Sequence, residues 1–285
     1  ISVGSRSICD VVIELQRYRL LSDLHESEDW DIMGHAYEQY TSTYLKKKRG
    51  QFFTILLVVD FLSEALDPDY QDIILDPAGG SGGFLTGAMR YVRKKILKSS
   101  ATNISKQRQL DKHRTNLFMV EISKRLVKIA KTAMILNGDG HTGMTQGDSL
   151  GKTSDLNERV VARCGPGKPT IILTNPPFAG VGEGRITDPQ VLDNFNTGIR
   201  WSTRGGEYFS TGERNTEGVP PEMLFFERCL QWIAPGGKIG IVMPKSFLDT
   251  QTYYPARRLL LDSYRLLAVI NCHKDTFQPH TGVRT

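Results

Sequence analysis

The sequence predicts an α/β fold, a doubly wound, mostly parallel, Rossmann-like sheet preceded by a short helical N-terminal region. Three observations predict it. From residue 73 onward, short apolar runs alternate with helix-length amphipathic segments, the pattern of parallel strands joined by helical crossovers. A glycine-rich turn separates the first run from the first helix, where doubly wound folds hold ligands. Before residue 50, apolar residues recur only at helical spacing.

The elements follow in order. Residues 8–21 carry Ile8, Val11, Val12, Leu15 and Leu20 and read as a helix. Residues 30–48 carry Ile32, Met33, Tyr37, Tyr40 and Tyr44, then end in Lys46-Lys47-Lys48-Arg49 before Gly50, a cationic stop followed by a breaker. Thr54 is placed to cap a helix over 55–66, closed by Asp67-Pro68. Ile73-Ile74-Leu75 is a buried strand, Gly79–Gly83 a turn, and 84–97 a helix. Strands are expected at 117–120, 170–174, 238–243 and 266–271, with a weaker one before Gly147. Helices are expected at 123–136, 222–233 and 254–261. Polar stretches at 99–114 and 179–219 interrupt the alternation and read as insertions, the second a long loop. This divides the chain into a helical region, 1–49, and an α/β domain, 50–285.

Composition narrows the class. The chain has 285 residues, 39% of them hydrophobic, and a formal net charge of +5 at pH 7, a balance that permits a polyanionic partner without demanding one. Cys9, Cys164, Cys229 and Cys272 lie far apart, which argues against a zinc ribbon or disulfide scaffold and suits a cytoplasmic location. The apolar run Ile55–Leu62 is broken by Asp60 and is too short to span a bilayer. The six histidines show no metal-ligand spacing. Residue 1 is Ile, which points to a longer reading frame.

Chemistry concentrates in Asp76-Pro77-Ala78-Gly79-Gly80-Ser81-Gly82-Gly83-Phe84. The glycines let backbone approach a ligand without a Cβ clash. The pattern is not G-x-G-x-x-G, and Asp76 at the strand end disfavours a pyrophosphate and favours a cationic ligand. S-adenosylmethionine carries a sulfonium, an ammonium and no phosphate. Glu121, ending the second strand, has the chemistry to bind ribose hydroxyls. Asp148, in Gly147-Asp148-Ser149, could accept from an adenine amino group. For either acid alone, a plain helix cap or loop acid reads equally well.

Thr174-Asn175-Pro176-Pro177-Phe178 ends another strand. The prolines stiffen the backbone and remove two N–H donors. The Asn175 amide oxygen and the Pro176 carbonyl can then hold an exocyclic amine, and Phe178 offers a face on which a base can stack. A strand-ending turn with a core Phe is the plainer alternative.

With these residues assembled, the chain resembles the DNA adenine-N6 methyltransferases, most closely the modification subunit of type I restriction–modification systems. The resemblance rests on Asp31-Ile32-Met33-Gly34-His35-Ala36-Tyr37-Glu38, Gly50-Gln51-Phe52-Phe53-Thr54, the glycine turn, Glu121, Gly147-Asp148 and Asn175–Phe178. It continues in Pro235-Gly236-Gly237-Lys238, Phe277 and Thr281–Thr285, and the motif order is that of the γ class. It implies an S-adenosylmethionine-dependent methyltransferase fold. It assigns Gln51, Phe52, Phe53 and Thr54 to the cofactor, with Phe53 and Thr54 at its methionine part. Asp76, Gly80, Ser81, Gly82 and Gly83 would line the cofactor cleft, Glu121 would bind the ribose and Asp148 the cofactor's adenine, with Ser149 also at the cofactor. Asn175, Pro176, Pro177 and Phe178 would be catalytic, holding a flipped adenine for direct attack by N6, with Asn175 also near the cofactor. The implied partners are double-stranded DNA, a specificity subunit, a restriction subunit and a second copy of the chain, with no membrane.

The sequence departs from the family at Ile55, where proline usually follows Phe-Phe-Thr. The family sheet also continues past Thr-Gly-Val-Arg-Thr into an antiparallel strand, which is expected to be absent here or to lie beyond Thr285. The N-terminal helical part reads as a remnant of a larger one. Glutamine-N5 and guanine-N2 RNA methyltransferases share an Asn-Pro-Pro-aromatic motif, and Gly50–Thr54 favours the DNA group over them. A non-catalytic scaffold that binds cofactor or DNA is the remaining alternative. Arg185, Arg200, Trp201 and Arg204 make the 179–219 stretch a candidate to wrap the flipped nucleotide, with a merely mobile loop as the competing reading. The basic residues of 93–98 read as a solvated helix face.

Overall fold

A computed structural model describes residues 55–138, 143–179, 184–205, 207–273, 276 and 285. The helices expected at 8–21 and 30–48, the Gly50–Thr54 motif with Gln51, Phe52, Phe53 and Thr54, Phe277 and residues 281–284 lie outside these.

The strands are β1 (Ile74–Asp76), β2 (Leu117–Glu121), β3 (Met144–Gln146), β4 (Ile171–Thr174), β5 (Ile199–Arg204), β6 (Glu207–Arg214) and β7 (Lys238–Ile241). Five of them form one sheet in the order β3-β2-β1-β4-β7, every neighbouring pair parallel. The chain winds outward from β1 to β3, then returns to lay β4 beside β1. That reversal is the point where doubly wound sheets open a crevice beyond the strand carboxyl ends.

β1, β2 and β4 are buried almost throughout, as continuous apolar runs in a parallel sheet require. Alternate side chains supply the two faces. Ile74, Leu117, Met119, Ile171 and Leu173 pack with Val59, Phe84 and Leu85 on one side. Leu75, Phe118, Val120 and Ile172 pack with Leu156, Val160 and Trp232 on the other.

The helices are α1 (Leu56–Leu66), α2 (Gly83–Lys98), α3 (Asn103–Arg114), α4 (Lys124–Leu136), α5 (Glu158–Cys164), α6 (Pro189–Leu192), α7 (Pro221–Trp232), α8 (Ser246–Asp249) and α9 (Tyr254–Ser263). α1 ends as predicted: Asp67 takes a left-handed φ of 48°, and its carboxylate accepts from Tyr91 and from Lys95, each at 2.7 Å. Its start differs from the sequence reading. Ile55 occupies the N-cap position and makes no side-chain cap bond. Lys94, Lys95 and Lys98 are exposed, so the lysines of the basic run on α2 form a solvated face, while Arg93 is half-buried.

Three expectations are corrected. The 99–114 insertion contains a full helix, α3, capped by Thr102 accepting from the Ser105 N–H. Its sequence is mostly polar and carries no apolar stripe to announce a helix. The 179–219 stretch is not a structureless loop. It holds α6 and an antiparallel β5–β6 hairpin with Arg204 opposite Glu207, above a third apolar cluster that includes Leu192, Phe195, Val219, Phe225 and Phe247. Residues 266–271 form no strand. Leu266, Leu267, Val269 and Ile270 are exposed, because strand propensity becomes structure only where a neighbouring ladder is offered. Among the described residues, no helix is long and apolar enough to cross a membrane.

Candidate active site

The glycine turn hangs between β1 and α2. Its Gly79 N–H donates to the Val120 carbonyl (3.1 Å), and the Gly82 N–H to the Gly79 carbonyl (2.8 Å). A Cβ on Gly79 would lie 2.7 Å from Met119 Cε, so the turn can lie on β2 only with glycine there. Gly82 takes φ +88° as the N-cap of α2, a conformation that side-chain-bearing residues rarely adopt. Gly80, Ser81 and Gly83 are half-buried around the same turn.

Asp76 closes β1 and is 2% exposed. It accepts from the Ala78 N–H (3.0 Å) and from the Thr174 hydroxyl (2.7 Å). Burial pushes its carboxyl up to about 7. The Thr174 and Ala78 hydrogen bonds pull it down, and the nearby Glu121 charge adds to the rise. A buried acid held in this way is stabilised in its charged form by a cation.

Glu121, at the end of β2, bridges two segments. One carboxylate oxygen accepts from the Gly80 N–H (3.0 Å), the other from the Ser123 N–H (2.8 Å) at the entry to α4. The helix-entry role read as an alternative is therefore present. A carboxylate offers roughly four lone-pair directions, so acceptor capacity remains for hydroxyls. Asp148 is exposed and accepts from the Leu150 N–H (2.9 Å). Ser149 is buried and its hydroxyl donates to the Pro77 carbonyl (2.6 Å), which ties the loop after β3 to the glycine turn.

β4 delivers the Asn-Pro-Pro-Phe segment beside this turn. The Thr174 carbonyl accepts from the Val242 N–H (3.0 Å), while its hydroxyl reaches Asp76. Asn175 is half-buried, Pro176 buried and Pro177 exposed. Phe178 is half-buried and packs on the core that includes α1 and β1. Its core role is thus real, and the residue is not fully covered by it.

Sequence reasoning missed the residues that brace these loops from α7. Glu222 is 1% exposed. It accepts from the Ala179 N–H (2.9 Å) and from the Tyr253 hydroxyl (2.5 Å). Glu227 accepts from the backbone N–H groups of Asn196 (2.7 Å) and Thr197 (2.8 Å) and from the Thr197 hydroxyl (2.7 Å). Arg228 lies over Phe195 and Trp232, at 4.6 and 5.5 Å. It donates to the Leu150 (3.3 Å) and Gly151 (3.0 Å) carbonyls beyond Asp148. Burial pushes its guanidinium down to about 10. One signal was available: α7 reads Pro-Glu-Met-Leu-Phe-Phe-Glu-Arg, and charges inside so apolar a helix must be partnered.

The candidates of the 179–219 stretch separate. Arg200 and Arg204 are exposed. Arg185 donates to the Gly218 carbonyl (2.9 Å). Trp201 packs edge-on to Tyr254, which also stacks on Tyr208 with ring centroids 3.9 Å apart.

Comparison with known proteins adds relatives. The family model described as N-6 DNA Methylase matches residues 28–285. The chain is 25% identical over 267 residues to the type I restriction enzyme EcoEI methylase subunit of Escherichia coli, covering 92% of this chain and 47% of the relative. It is 24% identical over 264 residues to the type II restriction enzyme and methyltransferase RM.BcgI of Heyndrickxia coagulans, covering 90% of this chain and 34% of that one. The chain thus spans half or less of these relatives. In structure it is similar to the type I restriction enzyme EcoKI M protein, with a TM-score of 0.56, 20% identity, and 99% of this chain and 53% of that chain covered. It is also similar to the type ISP restriction–modification enzyme LlaBIII bound to DNA, with a TM-score of 0.58, 18% identity, and 92% and 21% covered. These likenesses show the methyltransferase fold.

Proposed function

The chain belongs to the N-6 DNA methylase family, and from that membership we propose that it carries the catalytic part of a DNA adenine-N6 methyltransferase, the modification subunit of a type I restriction–modification system. The observation that carries the reading is the Thr174 hydroxyl bonded to Asp76 at 2.7 Å. This bond joins the strand end that leads into the glycine turn to the strand end that leads into Asn-Pro-Pro-Phe, at the reversal of strand order. A donor site and an acceptor site for methyl transfer must be adjacent in this way.

The residues fit S-adenosylmethionine. Asp76 is a buried acid suited to a cation, the glycine turn admits close backbone approach, and Glu121 and Asp148 stand at the ends of the next strands. Gly80, Ser81, Gly82, Gly83 and Ser149 complete the described part of this cleft, and Gln51, Phe52, Phe53 and Thr54 are assigned to it from the sequence. When bound, S-adenosylmethionine supplies an electrophilic methyl group. On the substrate side, the Asn175 side-chain oxygen and the Pro176 carbonyl accept the N–H groups of an adenine amine and orient its lone pair. Phe178 gives the base a stacking face, and the prolines keep the acceptors fixed. The amine is neutral, so its proton leaves after attack and no strong base is required beforehand.

The proposal includes double-stranded DNA as substrate, a specificity subunit that chooses the site, a restriction subunit, a second copy of this chain and a cytoplasmic location. Relatives named as type I methylase subunits support it. The test is nucleoside mass spectrometry after expression of the full-length gene, with and without a specificity partner, in a host lacking adenine methylation. N6-methyladenine that appears only with the partner supports the reading. Its absence in both, with soluble protein, overturns it. Asn175→Ala should lower methylation at least about 100-fold with cofactor affinity little changed, and full activity in that variant would refute the assigned acceptor.

A further inference from the structure

Glu222 has no place in the site read from the sequence, yet it touches the segment that leaves Asn-Pro-Pro-Phe. It sits in the first turn of α7, 1% exposed. One carboxylate oxygen accepts from the Ala179 N–H (2.9 Å), the residue immediately after Phe178. The other accepts from Tyr253 (2.5 Å), a residue 7% exposed whose ring packs on Phe247 with centroids 5.3 Å apart. Burial and this hydrogen bond push the Tyr253 hydroxyl well above its usual range, so it stays a donor.

A buried carboxylate is costly unless its acceptors are used, and here both oxygens are. The bond to Ala179 is a charge-assisted one to backbone, stronger than a neutral bond. The Asn-Pro-Pro-Phe segment is otherwise poor in backbone donors, because its prolines have none. The Ala179 N–H is one of the few handles by which the fold can hold the motif's exit. On its entry side the handle is Thr174, bonded to Asp76 and to Val242.

We propose that Glu222, oriented by Tyr253, is a positioning residue for methyl transfer: it fixes the exit of the Asn-Pro-Pro-Phe segment and thereby the direction of the Asn175 and Pro176 acceptors. This rests on the adenine-N6 reading above. Glu222 touches no reacting atom in this scheme. Its effect should therefore fall on the rate of transfer and leave cofactor binding unchanged.

The experiment uses the full-length protein with its specificity partner on an oligonucleotide duplex carrying the target site. Three quantities are read for the wild type, Glu222→Met, Glu222→Gln and Tyr253→Phe. These are the single-turnover methylation rate, the Kd for S-adenosylmethionine, and the fluorescence of 2-aminopurine placed at the target adenine. Glu222→Met strips both acceptors and should slow transfer about 100-fold, the scale of a small misplacement of reacting groups, with Kd within about twofold. Glu222→Gln can turn its carbonyl to Ala179 and its amide to the Tyr253 oxygen, so it should restore the rate to within about threefold. Tyr253→Phe should slow transfer roughly threefold to tenfold with Kd unchanged.

Transfer at the wild-type rate in Glu222→Met overturns the proposal. So does a parallel loss of cofactor binding, which is the signature of a merely structural residue. If Glu222→Met does not fold, Tyr253→Phe decides: a slowed rate with unchanged Kd supports the proposal, and an unchanged rate overturns it. A wild type that binds the duplex yet forms no N6-methyladenine refutes the underlying function instead, and is distinguished by that control alone.

Discussion

Asp76 is the residue on which structure and chemistry meet most directly. Its carboxyl is raised from 3.8 to about 7 chiefly by burial. An acid raised on folding stabilises the fold fully below its unfolded pKa, and that contribution is lost as the pH climbs through the folded value. Relative to Asp76→Asn, wild-type stability in urea unfolding should therefore fall, by up to a few kcal/mol, between about pH 4 and about pH 7. Equal slopes in the two proteins would remove Asp76 as a source. By the same linkage, a cationic cofactor should bind with proton release below about pH 7 and more weakly as the pH falls, measurable by calorimetry in two buffers of different ionisation enthalpy. The identity of this acid was legible in the sequence because it follows an apolar run and precedes glycines. Its burial was not, since that depends on Thr174 and Met119 arriving from other strands.

Among the elements, α7 has the widest reach. All but Gln231 of its residues are buried, and its acids and arginine each hold a different segment. Glu227 takes the backbone of Asn196 and Thr197, which anchors the hairpin insert, and Arg214 clamps the insert's far side to Asp193 through two bonds of 2.8 and 2.7 Å. The exposed Arg214–Asp193 pair contributes little on its own. The buried Glu227 network carries the attachment, because each lost acceptor leaves a donor unpaired. Glu227→Ala should cost about 3 kcal/mol or more and make 196–217 the first site of limited proteolysis, whereas Arg214→Ala should change stability far less. Equal effects of the two would show the hairpin to be held otherwise. The hairpin itself had a sequence signal in Gly205-Gly206 between Trp-Ser-Thr-Arg and Glu-Tyr-Phe-Ser, a two-residue turn flanked by strand formers. It was obscured by the polarity of the surrounding stretch. The strand expected at 266–271 failed for the converse reason: its β-branched residues fit a strand, but among the described residues no ladder meets them.

At the scale of the whole molecule, a second buried group sets an acid limit. His113 lies in the last turn of α3 at 1% exposure, with neither ring nitrogen hydrogen-bonded among the described residues. Burial pushes its pKa from 6.5 down to about 4. A base lowered on folding stabilises the native state above its unfolded pKa and loses that contribution as the pH falls toward the folded value. Relative to His113→Phe, wild-type denaturation midpoints should drop between about pH 6.5 and about pH 4, with the two proteins alike at pH 8. The two titrations oppose each other, so stability should vary least where their ranges overlap. The sequence alone determined the α/β class, the β1 to β4 run of strands, the glycine turn and the Asn-Pro-Pro-Phe segment, because each is a local pattern of period, breaker and strand end. The tertiary structure alone decided that Asp76 and Thr174 are bonded, that Glu121 bridges Gly80 and Ser123, and that Glu222, Glu227 and Arg228 brace loops up to 78 positions away. The physical reason is that a buried charge takes its role from the partners that satisfy it, and those partners are brought to it by the order of strands in the sheet.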